Sequence, residues 1–202
     1  MPTYKLMYFN VTGLGEPIRF MFNHCGIKFE DVRISHEDWP KYKPNMPMGQ
    51  MPVLEIDGNQ YYQSKAIGRF IAKKGNLYGS DDFEAMKIDA TVDSIEDVRQ
   101  ALAVYYKEQD PVFKAKLKEA ALQKLSFCLD KLEAQVKKNG GYFVGGKLSW
   151  PDFLWAAYFD LLNFVLAEDP NKDHPELKKL VGKVRALPNI KAYLEKRPQT
   201  QL

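Results

Sequence analysis

Cysteine is scarce in this chain: among 202 residues only Cys25 and Cys128 carry a thiol, far apart in sequence. There is no Cys-x-x-Cys pair and no Cys/His spacing of a zinc site, so a disulfide scaffold is excluded and reduced thiols are expected. An excess of one charge sign is missing too. Twenty-nine Lys and Arg against 26 Asp and Glu leave +3, with ten basic and seven acidic residues in 1–76 and 19 of each in 77–202. Binding led by nucleic-acid phosphates needs a dense basic patch, so no nucleic-acid partner is expected; the surplus favours at most a small anion near the first third. Long apolar runs are also lacking. The most apolar stretch, Phe153 to Ala167, is broken by Asp160 and Asn163 and is shorter than the ~20 residues of a bilayer span. The start, MPTYKLMYFN, holds no apolar segment of secretory-signal length. No targeting peptide and no membrane partner are therefore expected, and the expected location is cytoplasmic. What remains is 45% hydrophobic and 27% charged residues, the make-up of an ordinary globular chain.

Periodicity divides the chain in two. Residues 3–9 (TYKLMYF) are rich in β-formers and run into a turn over Asn10 to Gly15; Ile18, Met21 and Phe22 then recur at helical spacing. Phe29, Val32 and Ile34 suggest a second, parallel strand, which completes a βαβ unit. Val53 to Ile56 and Gln60 to Tyr62 flank Asp57-Gly58-Asn59, a strong hairpin signal, and Ser64 is placed to cap a helix reaching Lys73. The order βαβ, loop, ββα matches a thioredoxin-like α/β domain over 1–75. A linker is expected over 76–82, where glycines and turn formers cluster. From 83 to 202 the pattern is all-α. Ile88 to Tyr105 and Leu117 to Val136 carry apolar residues every three or four positions. Ser149-Trp150-Pro151-Asp152 reads as a capped start of a nearly all-apolar, central helix whose Asp160 and Asn163 need buried partners.

Three places suit ligand chemistry. Met51-Pro52 opens the third strand; cis holds for only ~5–6% of X-Pro bonds, so the residues alone favour an ordinary trans turn. A cis bond would instead present the Met51 backbone for strand-like pairing with an extended peptide. Gln63-Ser64 at a helix start offers N–H groups, an amide and a hydroxyl, a set that suits a carboxylate, although a plain N-cap is the commoner meaning. Tyr8 ends the first strand before a Gly-containing loop, where strand-terminal side chains line the crevice of open α/β sheets, while most strand tyrosines simply pack.

Taken together, several motifs resemble one family. Tyr8-Phe9-Asn10, Gly15-Glu16-Pro17-Ile18-Arg19, Asp38-Trp39-Pro40, Met51-Pro52-Val53-Leu54, Asp57-Gly58, Gln63-Ser64-Lys65-Ala66-Ile67 and Ser149-Trp150-Pro151-Asp152-Phe153 are similar, in register and across both domains, to the sigma class of cytosolic glutathione S-transferases. That class includes invertebrate transferases and a vertebrate glutathione-dependent prostaglandin D synthase. The resemblance implies a glutathione-binding domain, a helical domain that shapes an electrophile pocket, a detoxifying role, and a homodimer. It implies Tyr8 as the catalytic hydroxyl beside the glutathione sulfur. Trp39, Lys43 and Gln50 would contact the glycyl end, Met51 with Pro52 the cysteinyl backbone, and Gln63 with Ser64 the γ-glutamyl carboxylate. Asp97 would reach glutathione bound in the partner subunit. Phe9, Leu14, Arg99, Tyr105 and Leu202 would border the electrophile pocket.

The task such a tyrosine performs can be sized. A thiol of pKa ~8.5 is only a few per cent ionised at neutrality, and one pKa unit corresponds to about 1.4 kcal/mol. A hydrogen bond to a charged group contributes roughly 1.5–3 kcal/mol, enough for about one to two units. One hydroxyl therefore suffices to hold much of the thiol as thiolate, and no metal is required. The expected reaction is glutathione conjugation to hydrophobic electrophiles such as lipid-derived enals and aryl halides, with organic hydroperoxide reduction as a side activity. Two alternatives accompany it: a prostaglandin isomerase, weakened because Leu14 stands where the vertebrate synthase has an arginine, and a crystallin-like structural protein on the same fold. Asp93, Glu96 and Asp97 form a weak candidate cluster for Mg²⁺, with a solvated acidic face as the preferred reading. Cys25 and Cys128 are expected to be idle.

Overall fold

The computed structural model describes residues 2–200, so Leu202 lies outside the described residues. The chain forms two compact units: one comprises the residues up to Leu77 together with those from Arg185 on, the other Tyr78–Val184.

In the first unit, β1 (Tyr4–Phe9), α1 (Glu16–His24) and β2 (Glu30–Ile34) make the expected crossover, with β2 parallel to β1. A short helix α2 (Trp39–Tyr42) and two 3-10 turns lead to β3 (Val53–Ile56), β4 (Asn59–Tyr62) and α3 (Ser64–Lys74). The sheet order is β2-β1-β3-β4, with β3 antiparallel to both its neighbours. Asp57 and Gly58, at φ of 50° and 82°, form the two-residue turn between β3 and β4; two positive φ values mark the type I′ geometry that suits strand twist and explain the Asp-Gly pair. Leu6, Val53 and Leu54 are fully buried on the sheet, as are Ile18, Phe20 and Met21 on α1 and Ile67 and Ile71 on α3.

The last helix, α8 (Pro188–Lys196), packs on α1 and groups by its contacts with the first unit. The physical reason is polar as well as apolar. Arg197 and Tyr193 reach Glu16, which is buried on α1, at 2.6 and 3.1 Å, while Ile190 is buried among the apolar core residues.

The second unit is built on α4 (Asp82–Lys107), α5 (Pro111–Lys138), α6 (Trp150–Leu166) and α7 (Pro175–Arg185), the last running to the boundary between the units. Asp81 and Asp110 accept N–H groups from the first turns of α4 and α5. Ser149 and Asp152 form the reciprocal capping box at the start of α6. Burial along α6 is continuous from Trp150 to Tyr158, so its first half is the centre of this unit. The expectation for the second half is corrected at Asn163, which is exposed and so needs no interior partner, while Asp160 is half-buried.

Candidate active site

Register decides what meets what. Met7 pairs with Val53 and Val53 with Tyr62, so the end of β1, the Met51-Pro52 entry to β3 and the Gln63-Ser64 exit from β4 lie at one end of the sheet. Phe9 pairs with Ile34, which brings the segment after β2 to the same end. Open α/β sheets place ligands at such an edge.

Tyr8 is buried, and its phenol oxygen accepts the Leu14 N–H at 3.0 Å. The loop that supplies this N–H is the 3-10 turn Gly13–Gly15. It passes so close to the ring that a Cβ on Gly13 would lie 2.6 Å from the Tyr8 oxygen. Below the ring the Arg19 guanidinium stands 5.8 Å from its centroid. An N–H donated to a hydroxyl oxygen fixes the C–O direction and polarises the O–H toward a further acceptor.

The remaining residues assigned by resemblance in the first unit lie in the segments between β2 and β3 and after β4. The Met51-Pro52 bond is cis, against the trans turn that the residues alone favoured. Met51 and Trp39 are half-buried against the cluster of Met7, Ile34, Met46 and Val53. Lys43 is exposed, its stem along Gly49, and Gln50 is exposed in extended backbone. Gln63 is held at φ 71° and ψ 109°, a conformation that non-glycine residues rarely adopt, immediately before Ser64 opens α3. Ile67 donates its N–H to the Gln63 carbonyl at 3.0 Å. The positive end of α3 thus lies at this edge and favours an anion. Phe9 stacks on His36 with ring centroids 4.5 Å apart and meets Trp39 edge-on at 5.4 Å.

Other assigned residues lie in the second unit. Arg99 and Tyr105 are on α4. The Arg99 Nε donates to Glu96 at 2.7 Å, and the Tyr105 ring is flanked by the Lys114 and Lys118 ammonium groups, each 5.9 Å from its centroid. Asp97 is exposed and pairs with Lys124 at 3.2 Å. The acidic trio is corrected: Glu96 is buried and bonded to the Tyr158 hydroxyl and Arg99, whereas Asp93 and Asp97 are exposed. Among the described residues no group of three or more His, Cys, Asp or Glu is gathered as a metal site. Both thiols are pushed up by burial, so neither Cys25 nor Cys128 is prepared as a nucleophile.

Sequence reasoning passed over two features. Gly13 and Gly15 are needed for close approach to the Tyr8 ring and not only for a turn. Glu16 and Arg19 form a buried ion pair at 3.2 Å, both side chains at 0–1% exposure. The available signal was a Glu and an Arg three apart on an otherwise apolar helix face.

A thioredoxin-like α/β unit with a tyrosine-bearing edge beside a cis-proline, followed in sequence by a helical unit, sets the class. Family profiles agree: glutathione S-transferase, N-terminal domain, matches residues 4–73, and glutathione S-transferase, C-terminal domain, matches 96–197. A glutathione S-transferase of Anopheles gambiae is 42% identical over the full length of both chains. The hematopoietic prostaglandin D synthase of Rattus norvegicus is 37% identical, again over all of both chains. Among solved structures, a prostaglandin synthase D of Nilaparvata lugens is 42% identical with a TM-score of 0.93, covering 98% of this chain and all of the other. The chain belongs to the glutathione S-transferase family of enzymes.

Proposed function

We propose that this enzyme conjugates glutathione to hydrophobic electrophiles, with Tyr8 as the group that activates the thiol. The observation that carries the reading is the Leu14 N–H bond to the oxygen of Tyr8, which stands near the strand end where the register gathers Met51, Gln63 and Ser64. Glutathione would lie extended there. Met51 and Pro52 receive its cysteinyl backbone, Gln63, Ser64 and the α3 N-terminus its γ-glutamyl carboxylate, and Trp39, Lys43 and Gln50 its glycyl end. The Tyr8 O–H donates to sulfur and stabilises the thiolate. The sulfur then adds to the β-carbon of an enal, whose α-carbon takes a proton from water, or displaces halide from an activated aryl ring. Phe9 and Leu14, both half-buried, supply apolar surface on this side.

Pairing with a second copy completes the reading. An apolar hollow of about 420 Å³ between β4 and α3, with Tyr61, Tyr62 and Phe70 exposed around it, supports association through this face of the first unit. Asp97 would act on the partner's glutathione. The proposed setting is detoxification in the cytoplasm; no helix among the described residues is long and apolar enough to cross a membrane.

Likeness to proteins named prostaglandin D synthase favours a second reading, isomerisation of a prostaglandin endoperoxide. Against it, Leu14 brings no cation to the sulfur.

The test is a Tyr8→Phe variant. The pKa of bound glutathione, read from thiolate ultraviolet absorbance, should rise by about one to two units and turnover with an aryl halide should fall by at least about tenfold. An unshifted titration removes Tyr8 from the mechanism, and glutathione binding without turnover on any electrophile in the parent protein favours a crystallin-like role. Product analysis with an endoperoxide decides the isomerase reading.

A further inference from the structure

The buried charges beneath Tyr8 form a chain that ends at the C-terminal helix. Arg19, wholly buried on α1, spends its donors in four directions: Nε to Asp31 at 3.0 Å, Nη1 to the Val11 carbonyl at 2.8 Å and to Glu16 at 3.2 Å, and Nη2 to the Phe9 carbonyl at 3.3 Å. Phe9 and Val11 open the loop that turns back to present the Leu14 N–H to the phenol. Glu16, equally buried, is held from the other side by Arg197 at 2.6 Å and by the Tyr193 hydroxyl at 3.1 and 3.2 Å. Tyr193 in turn receives an N–H from Arg33 at 3.3 Å. Burial, with the Glu16 charge beside it, pushes the Tyr193 hydroxyl well up from its ordinary range, so it stays protonated as a donor.

This arrangement sets up a competition. Glu16 has two neighbouring guanidinium groups, and a carboxylate is a stronger acceptor than a backbone carbonyl. While Arg197 satisfies Glu16, Arg19 can divide its donors between the acid and the loop carbonyls. Without Arg197 the buried carboxylate is under-compensated and draws the Arg19 guanidinium toward itself, away from Phe9 and Val11. We propose that Arg197 is a positioning residue for Tyr8: by way of Glu16 and Arg19 it holds the Phe9–Leu14 loop where the Leu14 N–H meets the phenol oxygen. The inference rests on the reading of Tyr8 as the thiol-activating group.

Three variants test it, Arg197→Met, Arg197→Lys and Tyr8→Phe, together with the double variant of the first and last. Arg197→Met should lower kcat by about three- to tenfold with KM for glutathione within about twofold, because positioning of the acid is lost and the tripeptide contacts are not. The pKa of bound glutathione should rise by about half a unit, and Arg197→Lys, which keeps the charge, should recover most of both effects. In the Tyr8→Phe background Arg197→Met should add nothing to the titration shift, since its effect runs through the phenol. A merely structural Arg197 would lower the melting temperature and leave kcat, KM and titration at parent values; that outcome, or an additive shift in the double variant, overturns the inference. If Tyr8→Phe shifts the titration and Arg197→Met does not, only the positioning role falls. If Tyr8→Phe itself leaves the titration unshifted, the reading of Tyr8 falls, and this inference with it.

Discussion

A methyl group placed on Gly15 would stand 2.5 Å from Cδ1 of Tyr8, closer than real side-chain carbons approach. Gly15 has ordinary helical backbone at φ −79°, so glycine is required there by the tyrosine ring, with Arg19 Nη1 also only 3.3 Å from such a carbon, and not by the turn. Gly15→Ala should therefore push the ring off the Leu14 N–H. A displacement of about 1 Å at a catalytic group can cost on the order of a hundredfold, so turnover should fall by at least about tenfold, with a stability loss of about 1–3 kcal/mol. Gly26→Ala is the contrast. A Cβ there meets nothing within 4 Å, while φ is +64°. It should lose about 1 kcal/mol in urea melts through backbone strain and keep its turnover. Equal losses of activity in both variants would show that general softening, and not displacement of Tyr8, is responsible.

Gln63 separates backbone from side chain in a similar way. Its φ of 71° costs energy for any residue with a Cβ, so Gln63→Gly should be neutral or stabilising by up to about 1 kcal/mol. Gln63→Ala keeps the strained backbone and should leave stability within about 0.5 kcal/mol of the parent. Both remove the amide that we assign to the γ-glutamyl group, so both should raise KM for glutathione by about tenfold with a smaller effect on kcat at saturation. Thermal melts and initial rates read the two effects independently. A KM that rises in the glycine variant only would assign the function to backbone geometry and not to the amide.

The order of strands and helices was legible in the sequence because each element announces itself locally. The β-formers of β1, the Asp57-Gly58 turn and the Ser149/Asp152 capping box need only near neighbours in the chain. The sheet-edge residues Tyr8, Met51, Gln63 and Ser64 were legible as motifs, and the ladder register then brings them to one place. What periodicity concealed was polar and long-range. The residence of Arg197 beside Glu16 spans most of the chain, and the inward turn of Glu96 toward Tyr158 depends on α6 supplying a hydroxyl. A carboxylate spaced like its exposed neighbours looks solvated until its partner is seen, which is why Glu96 was grouped with Asp93 and Asp97.

Glu96 gives a prediction of its own. Its carboxylate is buried and receives the Tyr158 hydroxyl and Arg99 Nε. Tyr158→Phe preserves the apolar packing of α6 and deletes one donor to a buried charge, which should cost about 1–3 kcal/mol in denaturant melts. Glu96→Gln in the same background should recover part of the loss, since a neutral amide tolerates the missing donor better. If Tyr158→Phe is neutral, the hydroxyl contributes nothing net and packing alone holds α6 to α4.

Asp152 makes stability depend on pH with an unusual sign. Burial lifts its carboxyl from the ordinary 3.8 to about 6, against the lowering effect of N–H bonds from Phe143 and Ser149 and the Ser149 hydroxyl. The folded chain therefore keeps this proton to higher pH than the unfolded chain does. The stabilisation is complete below about pH 4 and is lost as pH rises through about 6, a change of up to about 3 kcal/mol for a shift of this size. Carboxylates such as the exposed Asp57 and the half-buried Glu84, which are held below their ordinary range by hydrogen bonds, contribute in the opposite direction. The comparison must therefore be differential. Urea melts of the parent and Asp152→Asn between pH 4 and 7 should show the parent losing more stability with rising pH than the variant. The variant, lacking one acceptor of the capping box, should also be less stable than the parent at pH 4. Parallel profiles across that range would mean that Asp152 enters the folded state already ionised, its three donors outweighing burial.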